Sequence, residues 1–120
     1  MKPFLTEPIL TQPGSGELEF DVKPALNLIV GTNLMAGKLF LPRGFVHGRH
    51  NHTEHESIGI VVSGHLTMKI GDADPVELRA GDTWHHPIGV YHSLVVHEDT
   101  KAVEVHSPLR EDLLRLLVED

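Results

Sequence analysis

The sequence predicts an all-β barrel or sandwich followed by one short C-terminal helix. Three observations carry that expectation. Apolar and polar residues alternate in short runs, Gly, Pro and Asp punctuate those runs, and the period turns helical only after Ser107. Met1 to Gly14 mixes Lys2, Glu7 and three prolines and has no apolar stretch of the length a signal peptide or a membrane span needs. A cytoplasmic location is the expectation. Within an N-terminal arm of residues 1–33, Leu18–Val22 and Asn27–Val30 read as strands. Leu34–Leu41, Ser57–Val62, Leu66–Ile70, Val76–Leu78, Thr83–His86, His92–Val96 and Ala102–His106 follow as the strands of a barrel core spanning about residues 34–106. Gly71-Asp72, Asp74-Pro75, Gly81-Asp82 and Glu98-Asp99 supply the turns between them. Side chains two apart share a face of a pleated strand, so Leu66, Met68 and Ile70 point one way while His65, Thr67 and Lys69 point the other. Over about residues 108–119, Leu113, Leu114, Leu117 and Val118 recur at helical spacing, with Ser107 placed to cap the helix and Pro108 at its first position. So short a helix needs a barrel or a partner subunit to lie on.

At 120 residues the chain has the length of one domain, 1–120. It has no cysteine, which excludes disulfides and thiolate metal sites and leaves imidazole and carboxylate as metal ligands. A net charge of -7 with ten Lys and Arg and no basic run argues against nucleic acid or an anionic membrane as partner. A homodimer is expected, because open β-structures leave edge strands with unpaired amides, and Leu18–Val22 is placed to extend a neighbour's sheet.

Ten histidines are the compositional outlier, and they run from His47 to His106, so they are not a purification tag. His50 and His52 stand two apart, which in an extended segment aims both imidazoles from one face at a single ion. Glu56 follows four residues later, and His92 arrives from a distant strand. Two nitrogens from one segment and one from another leave coordination positions for water or substrate, the arrangement of a catalytic or ligand-binding centre. One divalent metal is expected, with zinc, nickel, iron and manganese all compatible with the donor set.

Gly44, His50, His52 and Glu56 stand at the spacing of the first cupin motif, and Gly81, Pro87, Gly89 and His92 at that of the second. The chain resembles the cupins from about Leu34 to His106. The resemblance implies a double-stranded β-helix, a jelly-roll-like barrel with its metal inside. Seven residues separate Glu56 from Gly64 where the family has six, so Ser57 falls at the ligand position. Either a β-bulge turns Glu56 inward or the centre has three histidines, as some cupin dioxygenases do. The segments His55–Gly64 and Glu104–Asp112 resemble the pectin-degradation cupins, small enzymes that convert an unsaturated uronate into its linear keto form. That resemblance implies a pocket role for Glu104, His106 and Arg110, with the carboxylate moving protons; His106 stands where the family has Phe.

Alternation alone also allows Glu104 and His106 to form the solvent face of the last strand, with Val103 and Val105 inside. His47, His65 and His97 are expected to be exposed, one of His85 and His86 to face the barrel, and His55 is an alternative ligand. Trp84 reads as barrel packing. Three functions fit: a metal-dependent enzyme moving protons on a sugar-derived keto or uronic acid, a three-histidine iron dioxygenase, and a non-enzymatic module binding a small ligand.

Overall fold

The computed structural model describes residues 25–110, which form seven strands: β1 (Ala25–Val30), β2 (Met35–Leu41), β3 (Val46–His50), β4 (Glu56–Ile70), β5 (Val76–Arg79), β6 (Thr83–His86) and β7 (His92–Ser107). All the pairing is antiparallel. Two long strands, β4 and β7, organise the rest. The C-terminal half of β7 pairs β2, and β2 in turn pairs β1, while the N-terminal half of β4 pairs β6. At the other end of the same ladder the N-terminal half of β7 pairs β3, and the C-terminal half of β4 pairs β5. The β4–β7 ribbon thus runs through both halves of a barrel.

Four of the expected strands merge here into two. Ser57–Val62 joins Leu66–Ile70, and His92–Val96 joins Ala102–His106, because the ribbon bends without losing its pairing. The register shifts between Val61 and Leu66 opposite Val96 to Ala102. Gly64 sits in that bend at φ 106°, and a Cβ there would lie 2.5 Å from the Asp99 carbonyl and 2.6 Å from the Thr100 Cα, so only glycine fits. Thr100 is fully buried, its hydroxyl donating to the Glu98 carbonyl at 2.8 Å and accepting the His65 amide at 3.1 Å.

β3 was not among the expected strands, and its sequence explains why: Val46–His50 has no buried alternation and is held by β7 through a register with a shift. Leu18–Val22 and the apolar positions Leu113 to Val118 lie outside the described residues. The expected helix does not begin at Pro108, since residues 108–110 are not helical. Ser107 completes β7 opposite Glu56 and donates its hydroxyl to the Asn33 carbonyl at 3.2 Å, so it caps no helix there.

The core collects Leu41, Phe45, Val61, Leu66, Met68, Leu78, Trp84, Val96 and Ala102. Trp84 lies over Gly59, where a Cβ would overlap the indole ring. This packing fills one part of the interior with apolar side chains and leaves another to histidines. Among the described residues no helix is long and apolar enough to cross a membrane.

Candidate metal centre

β3 ends at His50, whose Cα pairs with that of His92 on β7, so the first histidine and the last face each other by strand register. The chain then leaves the sheet and His52 comes back over the pair. Ring centroids lie 4.3 Å apart for His50 and His92, 5.1 Å for His50 and His52, and 5.6 Å for His52 and His92. One ring nitrogen from each lies within 4.8 Å of the other two. His50 Nδ1 is 2.7 Å from the Gly48 carbonyl, which fixes the proton on Nδ1 and makes Nε2 the basic nitrogen of the neutral ring.

Burial, then the charges of His86, His50 and His52, pulls the His92 pKa down to about 2. Burial, then Arg110 and the neighbouring histidines, pulls His52 to about 3. Both rings are therefore neutral at pH 7, the protonation state that ligates metal. His92 Nδ1 is buried without a hydrogen-bond partner, a burden of about 1–3 kcal/mol for a polar atom that a ligand would relieve. Three imidazoles converging without thiolate suit a divalent transition metal.

The structure corrects the expectation for Glu56. Its side chain is half exposed on the outer face of β4, and its Oε1 is 2.8 Å from His85 Nε2. No bulge lies between Glu56 and Val61, so alternation holds and the neighbouring residue, Ser57, points inward. Ser57 Oγ donates to Glu104 Oε2 at 3.2 Å and lies 3.3 Å from His86 Nδ1. Glu56 does not join the three histidines.

Glu104 and His106 share the inward face of β7 with buried Ala102, while Val103 and Val105 point outward. The solvent-face alternative is thereby removed. Glu104 Oε2 accepts from Trp84 Nε1 at 3.1 Å as well as from Ser57, and His106 Nε2 lies 3.3 Å from Oε1. Burial alone would raise the Glu104 pKa. The charge and hydrogen bond of His106, the charge of His86 and the Trp84 indole outweigh it and hold the carboxyl well below the usual range. His86 joins Glu104 to the histidine cluster: its ring stacks on His92 at 3.6 Å and 7°, and its Nδ1 is 3.7 Å from Glu104 Oε2. Burial lowers His86 to about 4, against the opposing pull of Glu104. Arg110 is buried, its amide donating to Met35 Sδ at 3.2 Å, and its charge is felt at His52.

Of the remaining histidines, His55 is buried with its ring 4.4 Å from His52 and 5.5 Å from His106, outside the three-histidine group. His47 and His65, expected to be exposed, are half-buried, and the His47 ring lies 3.9 Å from that of His50. His97 is exposed, His85 points out and His86 in. Sequence reasoning missed Ser57 and Trp84 as partners of Glu104; the only signal for Trp84 was its even offset from His86.

A family model for the cupin domain, Cupin_2, matches residues 39–107. KdgF from Halomonas sp. is 25% identical over 88% of this chain and 99% of its own, with a TM-score of 0.71. An RmlC-like cupin from Shewanella frigidimarina is also 25% identical, over 88% of each chain, with a TM-score of 0.70. A predicted oxalate decarboxylase from Thermotoga maritima shares the fold at 19% identity and a TM-score of 0.64, over 73% of this chain and 83% of that one. No curated protein matches the chain.

Proposed function

The chain belongs to the cupin family, and from that premise we propose a metal-dependent enzyme that moves protons on a sugar-derived keto or uronic acid. The observation that carries the proposal is Glu104, an inward carboxylate held ionised and joined through His86 to the cluster of His50, His52 and His92. His50, His52 and His92 would hold the metal, which would supply Lewis-acid polarisation of a substrate carbonyl or hydroxyl. Glu104 is the base: its hydrogen bonds to Ser57 and Trp84 aim the carboxylate, and His106 stands at its other oxygen to pass a proton on. Buried Arg110 offers a cation for the substrate's carboxylate. The tail resemblance to the pectin-degradation cupins and the likeness to KdgF from Halomonas sp. support an unsaturated uronate as the first substrate to try.

The test is incubation of metal-loaded protein with unsaturated galacturonate, followed by its ultraviolet absorbance and by product analysis. Conversion to the linear keto form supports the proposal, and absence of turnover with this and related keto acids sinks it. The outward Glu56 favours a second reading, a three-histidine iron dioxygenase, because fewer protein ligands leave positions for oxygen and substrate. Substrate-dependent oxygen uptake by the iron-loaded protein would select that reading, whereas tight ligand binding without turnover would select a binding module.

A further inference from the structure

The outer face of the barrel gathers a second set of metal-ligand side chains. Leu66 and Met68 of β4 point into the core, so His65 and Thr67 point out, away from the first centre. Strand register brings Glu77 of β5 directly opposite Thr67. On the other side, Leu66 pairs Val96 and His65 pairs Glu98, which leaves His97 as the extra residue of a bulge in β7. The ring of His97 comes to 4.7 Å from that of His65, centroid to centroid.

We propose that His65, Glu77 and His97 form a second divalent-metal site, one that takes zinc-class ions and ties β4, β5 and β7 together on the solvent side. One ligand atom from each of the three lies within 4.8 Å of the others, as in the inner cluster. Two imidazoles with one carboxylate suit zinc, nickel or copper better than magnesium or calcium, which prefer all-oxygen sets. Thr67 arranges the ligands. Its hydroxyl donates to Glu77 Oε2 at 2.8 Å and accepts from His97 Nε2 at 2.6 Å, which leaves Nδ1 as the His97 nitrogen that would meet an ion. Hydrogen bonds from Thr67 and His65 hold the Glu77 carboxyl below its usual range, so it is anionic at neutral pH. His65 Nε2 lies 2.5 Å from Glu77 Oε1, and a metal would take the place of the proton between them. The plain alternative is a surface ion pair, an interaction that needs neither the third ligand nor the orienting hydroxyl.

Full-length protein stripped of metal and titrated with zinc by calorimetry tests the proposal. Two ions per chain are expected, falling to one in His97→Ala with the inner ion retained. Thr67→Val should weaken the second ion by about tenfold to a hundredfold, the usual effect of losing an orienting partner. Copper-loaded protein carrying His52→Ala and His92→Ala should show nitrogen hyperfine coupling from two imidazoles, reduced to one by adding His97→Ala. If that background does not fold, His97→Ala and Glu77→Gln in the parent chain carry the test, because both residues are exposed. A parent chain whose zinc binding, at whatever stoichiometry, is unmoved by both His97→Ala and Glu77→Gln overturns the proposal. That result does not bear on the inner centre.

Discussion

Replacing Glu104 by glutamine separates proton transfer from metal binding, and the structure sets the size of both effects. Glutamine has nearly the same shape, and its one oxygen can keep the donors that now converge on Oε2, Ser57 at 3.2 Å and Trp84 at 3.1 Å. The new amide NH2 then faces His106 Nε2 in place of Oε1, so the contact at 3.3 Å is lost unless that ring changes tautomer. Losing one hydrogen bond to a charged group costs about 1.5–3 kcal/mol. At roughly 4 °C per kcal/mol for a domain of this size, the melting temperature should fall by about 6–12 °C. The folded protein should keep its inner metal, since none of the three histidines is changed. Turnover should drop by about 100-fold to 10,000-fold, the range for removing a positioned base. Differential scanning calorimetry, metal analysis and initial rates on the same preparations give all three numbers. A Gln variant with parental kcat would refute the role of Glu104, and one that lost its metal would refute the separation of the two functions. Trp84→Phe extends the argument: removing a donor to the ionised carboxylate raises its pKa, so the acid limb of kcat/KM should move to higher pH.

The outward Glu56 predicts that Glu56→Gln retains metal while His50→Ala loses it, and metal content after dialysis decides; loss in both would return Glu56 to the ligand set. Metal-free protein should lose stability as pH falls below about 6.5, because unfolded histidines then take up protons that His86, near 4, and His92, near 2, refuse in the folded state. The unfolded chain binds more protons throughout that window, so each buried ring removes up to about 1.4 kcal/mol per pH unit. Glu104, depressed in the folded state, adds a loss of the same sign below about pH 4.3. Urea midpoints that stay flat between pH 7 and 5 would contradict this. Ile58, Ile60 and Val62 stand 56%, 42% and 56% exposed on the outer face of β4, and a second copy of the chain is the expected cover. Light scattering should give twice 13.3 kDa for the parent and a single chain for Ile58→Asp; a monomeric parent removes the idea.

The sequence carried most strands, though not β3, and the histidine triad because both are written in spacing: alternation assigns faces, and His50, His52 and His92 stand at offsets a barrel brings together. It carried less where two strands meet. Ser57 and Glu56 could be ordered only by knowing that no bulge precedes Val61, and a bulge depends on the partner strand as much as on its own residues. The same limit hid the bend at Gly64, where turn-like composition suggested strand ends although the pairing continues. His65 and His97 were legible one at a time as outward residues, and Glu77 drew no reading at all. Their meeting depends on two registers and one bulge, none of which has a local signature.

The bend at Gly64 and Thr100 also governs the inner centre from a distance. His92 lies on one arm of the β4–β7 ribbon, Glu104 and His106 on the other, and the bend is the joint between the arms. At about 3.3 Å per residue, the arm from Thr100 to Glu104 is roughly 13 Å long and the arm from Thr100 to His92 roughly 26 Å. A change of about 5° in the joint therefore moves Glu104 by about 1 Å or His92 by about 2 Å, and an error of about 1 Å can already cost roughly a hundredfold in rate. The alignment of carboxylate with histidines is thus an angle fixed by one hydroxyl and one missing side chain, neither of which belongs to the site. A substitution there would act as a misalignment: it would leave every ligand and every proton carrier in place and still slow the chemistry.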